Sequence, residues 1–241
     1  MSRHIGSGYG SEFHLMRYLA RYRNELNSKI EKEIGGKVIE WLDFNHGGNY
    51  ETKDSSKIVL PDQEWEGLVF LKSGSNSKDS KALLEWKTFW PQSGTSQNWD
   101  AIAKIDQNKM WILVEAKAHT GEIESDCGAT SSVSIQKINK AFQETQQAFG
   151  ITTANDWKKF YYQYANRLAV LHFLLGQRIA AKLLFIYFLG DKNPRLAVGN
   201  RCPETKEEWQ NSLDKQNEYL GLIPVKKRDL GIHEIFVNVN P

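Results

Sequence analysis

The sequence has few cysteines, no long apolar run and almost no excess of charge of either sign. Its two cysteines, Cys127 and Cys202, form no CxxC pair, which excludes a disulfide framework and the usual spacing of zinc ligands. The longest apolar run, 183–189, is far shorter than the roughly 20 residues that cross a bilayer, and no apolar stretch typical of a signal peptide opens the chain. We therefore expect a cytoplasmic protein without membrane contact.

The charge balance limits how the protein would hold a polyanion. Lys and Arg number 31 against 29 Asp and Glu, a formal net charge of +2, so any basic surface must be local. The 241 residues, 40% hydrophobic and 25% charged, are typical of a folded globular protein and exclude wholesale disorder. No linker-like composition divides the chain, and we expect one domain over 1–241.

Helical and strand-like segments alternate along the chain. Apolar spacing predicts one long helix over 11–34, from Ser11 as N-cap to a stop at Gly35, and further helices over 132–149, 155–177 and 205–222. Strand-like segments are 38–42, 67–71, 82–86, 99–105, 109–118, 181–191 and 233–240. The segments 99–105 and 109–118 read as a β-hairpin whose second strand is buried on both faces and forms the sheet centre. The alternation argues for an α/β or α+β fold.

Three charged residues lie at the ends of that hairpin. Asp100 stands near the start of the first strand, and Glu115-Ala116-Lys117 ends the second. Residues two apart in a strand share a face, so Glu115 and Lys117 point the same way and strand pairing brings Asp100 alongside. Two carboxylates and a backbone carbonyl are the oxygen ligands that Mg²⁺ prefers, and a lysine beside them can orient or deprotonate a water.

This pattern resembles the PD-(D/E)xK nuclease superfamily, whose signature is an Asp, a spacer and Asp/Glu-x-Lys on adjoining strands. Here the signature is Asp100, fourteen intervening residues and Glu115-Ala116-Lys117, with Trp99 in place of the usual Pro. The sequence is also similar to a bacterial group of this superfamily, over a core of about 85–190 with the N-terminal helix 11–34 packed on it. The matching stretches are Trp90-Pro91, Gly94, Trp99-Asp100-Ala101, 112–119 and 161–169. The resemblance implies an α/β, restriction endonuclease-like core: a central mixed β-sheet of four or more strands flanked by helices.

A second segment matches the literal motif. Pro61-Asp62 is followed, after twenty-two residues, by Glu85-Trp86-Lys87. We reject it because Asp62 lies in a polar turn and the Ala-Leu-Leu before Glu85 is a poorer buried strand than the Trp-Ile-Leu-Val before Glu115.

The resemblance also implies that an acid of the first helix completes the metal site, and Glu12 is the candidate. The alternative is that Glu12 has no role in the site, because the helix dipole alone favours an acid in the first turn. His14 on the same helix is a further candidate ligand. The alternative is that His14 is an ordinary surface or core histidine.

Substrate contacts are expected from the helix that follows the site. By resemblance, Gln163, Asn166 and Arg167 lie on a helix packed beside it, and Gln163 is the candidate contact to the scissile phosphate. His119, two residues after Lys117, is a candidate for the cleft lining, and Lys137 for phosphate binding. Solvated lysines and an ordinary polar helix face are the alternatives.

The function we expect is metal-dependent hydrolysis of phosphodiester bonds in nucleic acid, and the resemblance favours DNA. Asp100, Glu115 and Glu12 would hold Mg²⁺ or Mn²⁺, and Lys117 would orient the attacking water. One alternative is a non-cleaving nucleic-acid-binding or assembly module on the same fold, and another is a metal-dependent enzyme for a smaller substrate. Cutting both strands of a duplex would need two such sites, hence a homodimer or a partner.

Overall fold

The structure is a computed structural model that describes residues 9–42, 45–46, 49–51, 57–59, 62–73, 77–92, 97–105, 110–192, 202–223 and 225–240. Its helices are α1 (Ser11–Arg21), α2 (Arg23–Ile34), α3 (Ser77–Phe89), α4 (Ser132–Phe149), α5 (Tyr162–Gly176) and α6 (Lys206–Leu220). Its strands are β1 (Val38–Leu42), β2 (Asn45–His46), β3 (Asn49–Glu51), β4 (Lys57–Val59), β5 (Asp62–Gln63), β6 (Trp65–Glu66), β7 (Asn98–Trp99), β8 (Ala101–Ile105), β9 (Met110–Lys117), β10 (Ala181–Leu189) and β11 (Ile232–Asn238). Pro61, Gly94 and the predicted hairpin turn 106–109 lie outside the described residues.

A five-stranded mixed sheet forms the centre of this α/β fold, in the order β1-β8-β9-β10-β11. β8 pairs antiparallel with β1 and with β9, whereas β9, β10 and β11 run parallel. The predicted hairpin and its place at the sheet centre are confirmed. β9 and β10 are buried on both faces, which suits their nearly continuous apolar sequences.

Strand alternation divides the core into two layers, one on each face of the sheet. On one face, α1 and α2 pack through Leu15, Tyr18, Leu26 and Ile30 against a set that includes Ile112, Val114 and Ala116 of β9. On the other face, Trp111 and Leu113 of β9 belong to the core with α3, α4, α5 and α6. Glu115 and Lys117 follow Leu113 at two-residue spacing, and so they project on the α5 face.

The N-terminal segment is two helices rather than the single predicted helix. The backbone of Tyr22, with φ −124° and ψ 28°, ends α1, and α2 begins at the next residue. The predicted stop is confirmed, since Gly35 caps α2 in the left-handed conformation with φ 78°. The apolar spacing of Phe13, Met16 and Leu19 predicts that Met16 is buried, but Met16 is 43% exposed, and Leu15 and Tyr18 are buried instead.

Two segments predicted as strands are helical. Segment 82–86 lies within α3, where Ala82 and Trp86 are buried and Leu84 is 66% exposed. Burial at four-residue spacing belongs to a helix, because strand burial alternates at two. Segment 67–71 leads into a 3₁₀ helix, Val69–Ser73.

The C-terminal half follows the prediction more closely. The helix over 132–149 and the strands β10 and β11 are confirmed, and α6 begins after Thr205, whose hydroxyl accepts a hydrogen bond from the Glu208 amide. The predicted helix 155–177 begins only at Tyr162, because Phe160 adopts a positive φ of 58° that an α-helix cannot include. Among the described helices, none is long and apolar enough to cross a membrane.

Candidate active site

Asp100, Glu115 and Lys117 converge at one end of the hairpin. Asp100 lies in the bend between β7 and β8, and its Oδ2 accepts a hydrogen bond of 2.6 Å from the Ala116 amide. Lys117 donates from Nζ to Glu115 Oε1 at 2.5 Å, which places the two side chains on the same side of β9. The convergence expected from strand alternation is therefore present.

Glu115 is the most heavily bonded carboxylate of the site. Its Oε1 accepts hydrogen bonds from Lys117 and, at 2.7 Å, from Gln163 Nε2, while its Oε2 accepts from Arg167 Nε at 2.9 Å and contacts Arg167 Nη2 at 2.8 Å. The residue is 2% exposed. Burial alone would raise the pKa of Glu115, but Arg167 and Lys117 outweigh burial and lower the pKa below its ordinary 4.5. Glu115 is therefore ionised at neutral pH.

Arg167 is a buried cation fixed on several sides. Besides Glu115, its guanidinium donates to the Asn98 carbonyl at 2.5 Å and to Asn166 Oδ1 at 2.7 Å. It also lies over the Trp99 ring at 4.7 Å from the centroid. This fork of donors ties α5 to the end of β9 and to the strand that leads into Asp100.

Asp100 has the opposite electrostatic character to Glu115. Burial, the Glu115 carboxylate and, more weakly, Glu64 raise the pKa of Asp100 well above its ordinary 3.8, although Lys117 and the Ala116 amide act the other way. Its ionised form is held at a cost in free energy that a nearby cation would relieve. The two acids of the site therefore differ: Glu115 has strong positive partners and Asp100 has weak ones.

Lys117 carries its charge. Burial would lower the pKa of Lys117, but the Glu115 and Asp100 carboxylates raise it above its ordinary 10.5. Of the two roles considered from the sequence, an ammonium group can orient a water or a phosphate oxygen by donating hydrogen bonds, and it cannot take a proton.

The convergent residues line a cleft of about 600 Å³. Its walls come from β7, β9, the start of α4 and the start of α5, and they include Trp90, Asn98, Asp126, Ser134 and Tyr162. Most of these groups are polar or aromatic. A cleft of this size and lining could admit a segment of a polar chain or a small polar ligand.

Gln163 lies in the cleft, as the resemblance implied, and hydrogen bonds to Glu115. His119 and Lys137 are not among the cleft-lining residues. His119 pairs with Glu122 at 3.0 Å, within the 3₁₀ turn that follows β9. Lys137 donates to the Lys87 carbonyl and borders a separate groove between α3, α4 and α5, because its position on α4 turns it away from the cleft.

Glu12 is exposed and is not among the residues that line the cleft, although its neighbour Ser11 is. The physical reason is the layer in which α1 lies, since α1 packs on the sheet face opposite to Glu115. His14 is buried in the α1 layer, where its Nε2 lies 3.2 Å from Asp191 Oδ1. This placement favours the core alternative for His14.

The second motif match does not assemble. Glu85 and Lys87 lie on α3, where they share no strand face, and Glu85 accepts a hydrogen bond from Gln177.

Arg167 and Glu64 line the cleft but were given no role in the predicted site, which placed Arg167 only on the helix beside it. Arg167 carried one local signal, because it follows Gln163 by four residues and therefore lies on the same helical face. Glu64 is a further acid of the cleft lining and carried no such signal. It reaches the cleft because the next residue, Trp65, pairs with Trp99 beside Asp100.

The acids of the site do not form a protein-only metal cage. Within the part of the chain that the structure describes, no three His, Cys, Asp or Glu side chains are grouped closely enough to hold a metal ion. Comparison of the chain with family models, with curated proteins and with solved structures finds no match.

Proposed function

We propose that the protein is a metal-dependent nuclease that hydrolyses phosphodiester bonds in nucleic acid, with DNA the favoured substrate. The observation that carries the proposal is the convergence of Asp100, Glu115 and a charged Lys117 on one cleft. The choice of DNA comes from the resemblance to PD-(D/E)xK nucleases.

The residues present suit Mg²⁺ or Mn²⁺. Mg²⁺ is commonly bound by one or two carboxylates, with waters and substrate phosphate oxygens completing its shell, so three protein acids are not required. Asp100, Glu115 and the Ala116 carbonyl would hold the ion. The raised pKa of Asp100 supports this fit, because a divalent cation would stabilise the ionised form that burial and Glu115 disfavour.

When bound, the ion would lower the pKa of a water and stabilise charge on the phosphate. Lys117 would hold the attacking water or a phosphate oxygen through the ammonium hydrogens that Glu115 does not use. Arg167 would keep Glu115 ionised and fixed in place, and Gln163 would sit between Glu115 and the substrate. All three side chains already donate hydrogen bonds to Glu115 in the structure.

One observation favours the alternative of a non-cleaving binding module. Both oxygens of Glu115 already accept two contacts each, so the charge of Glu115 is balanced by Lys117 and Arg167 without a metal. A binding module could keep such an ion cluster for stability alone. The nuclease proposal requires that a cation take the place of one contact to Glu115.

Calorimetric titration with Mg²⁺ and Mn²⁺, followed by cleavage of plasmid, duplex, single-stranded DNA and RNA, tests the proposal. We expect metal binding and metal-dependent cleavage that are both impaired in Asp100→Asn. Lys117→Met should lose cleavage, whereas Lys140→Met, an exposed lysine of α4 outside the cleft, should keep it. Nucleic-acid binding without cleavage at any metal concentration would favour the binding module instead.

A further inference from the structure

A small cavity borders Glu115 and Lys117. Its lining includes Glu115, Lys117, Gln163, Tyr164, Tyr187 and Gln216. The strand register builds it, because Tyr187 of β10 pairs with Lys117 of β9 and Phe185 pairs with Glu115. Tyr164 of α5 closes the cavity by stacking on Phe185, with ring centroids 4.4 Å apart.

The hydroxyls of two tyrosines that line this cavity have no partner among the described residues. Tyr164 is 4% exposed and Tyr187 is 1% exposed, and neither hydroxyl oxygen makes a hydrogen bond within the described part of the chain. Buried hydroxyls are almost always paired, either with protein or with an ordered water. Burial raises the pKa of both tyrosines well above the ordinary 10.0, so each hydroxyl keeps its proton and can donate as well as accept.

The cavity has room for one water molecule and partners for it. Its volume of about 10 Å³ is close to the smallest that admits a water, and a buried water needs two to four polar partners. The two hydroxyls supply two of them. Lys117 has ammonium hydrogens that Glu115 does not use, and Gln216, which is 2% exposed, adds an amide.

We infer that this cavity is a binding site for a single ordered water, held by Tyr164 and Tyr187, which supports Lys117. The water gives the lysine a fixed partner other than Glu115. Tyr164 and Tyr187 are then positioning residues for Lys117, and this positioning role rests on the proposed function. The water site itself does not.

Tyrosine-to-phenylalanine variants decide whether the water is present, because the two cases predict opposite changes in melting temperature. If the hydroxyls are unpaired, Tyr164→Phe and Tyr187→Phe remove a desolvated polar group and raise the melting temperature. If the hydroxyls hold a water, each single variant lowers the melting temperature. The double variant then lowers it by less than the sum of the two single variants, because the same water is lost only once. Tyr18→Phe is the matched control, because that buried hydroxyl has a known partner, the Asn238 carbonyl at 2.6 Å.

We expect both single variants to lower the melting temperature in the direction of the Tyr18→Phe control. A rise or no change in either variant overturns the water site. A crystal structure that resolves ordered waters gives a second test: density within hydrogen-bond distance of both hydroxyls supports the site, and its absence overturns it.

Kinetics test the positioning role separately. Loss of the groups that orient residues at a metal site commonly lowers activity by 10- to 100-fold, so we expect Tyr187→Phe to lower kcat by roughly tenfold with KM nearly unchanged. A normal kcat in a variant that has lost the water would overturn the positioning role. If the unaltered protein cleaves no nucleic acid, the proposed function fails, and the melting temperatures still decide the water site.

Discussion

The ion pair between Glu115 and Arg167 gives the sharpest prediction, because both side chains are 3% exposed and each would be left without its main partner by a single substitution. Removing one member of a buried pair typically costs about 3 to 5 kcal/mol, since the remaining charge stays desolvated. We expect Arg167→Met near the lower end, about 3 kcal/mol, because Lys117 and Gln163 still bond to Glu115.

Glu115→Gln should cost more than Arg167→Met. It leaves two buried cations, Lys117 and Arg167, with Asp100 as the nearest acid, so we expect about 4 kcal/mol. Repulsion between the two acids would by itself predict that neutralising either one leaves stability unchanged or raised. The structure changes that expectation for Glu115, because its attraction to Arg167 outweighs its repulsion from Asp100.

The double variant Glu115→Gln with Arg167→Met should cost about as much as one single variant, because no buried charge of this pair is then left alone. If the double variant costs about the same 4 kcal/mol as Glu115→Gln alone, the coupling free energy is about 3 kcal/mol, the top of the range for residues in one network. Arg167→Lys should lie between the unaltered protein and Arg167→Met, because lysine keeps the charge and loses the planar fork.

Urea denaturation at pH 7 measures these free energies, and an unchanged slope with urea shows that the variants unfold as the unaltered protein does. The pair Lys140 and Glu144 on α4 serves as the control cycle, because it is exposed and its coupling should be near zero. A coupling below about 0.5 kcal/mol for Glu115 and Arg167, within the scatter of independent sites, would refute the argument that the pair fixes the site.

Three further predictions concern the acids and the lysine. Asp100→Asn should raise the melting temperature at neutral pH, because the folded-state pKa of Asp100 lies above the unfolded value; melts from pH 8 downward should show this gain disappear towards pH 3.8. Lys117→Met should bind Mg²⁺ more tightly in calorimetry while losing cleavage, since a competing cation leaves Glu115. Titration of Glu64→Gln should show weakened Mg²⁺ binding and that of Glu12→Gln should not, and the reverse result would restore Glu12 to the site.

The local pattern of the sequence determined the part of the site that lies on one hairpin. Strand alternation placed Glu115 and Lys117 on one face, and antiparallel pairing brought Asp100 beside them. Both are properties of neighbouring residues, so no long-range contact was needed to predict them. The apolar runs of β9 and β10 likewise predicted strands buried on both faces, and Gly35 predicted the end of α2.

The tertiary structure decided everything that depends on which element packs against which. Segment 82–86 is helical. Its apolar run is compatible with a strand or with a helix, and packing against α5 favours the helix. Glu12 lies away from the cleft because α1 covers the opposite face of the sheet, which no property of α1 alone specifies.

Arg167, Glu64 and Tyr187 reach the Glu115 end of β9 from distant parts of the chain, through helix packing, a short strand pair and parallel strand register. A sequence pattern records periodicity along one segment, whereas the partner of a buried charge is set by the pairing of segments far apart. For this protein, the sequence determined the hairpin and its three charged groups, and the tertiary structure decided which residues surround and hold them.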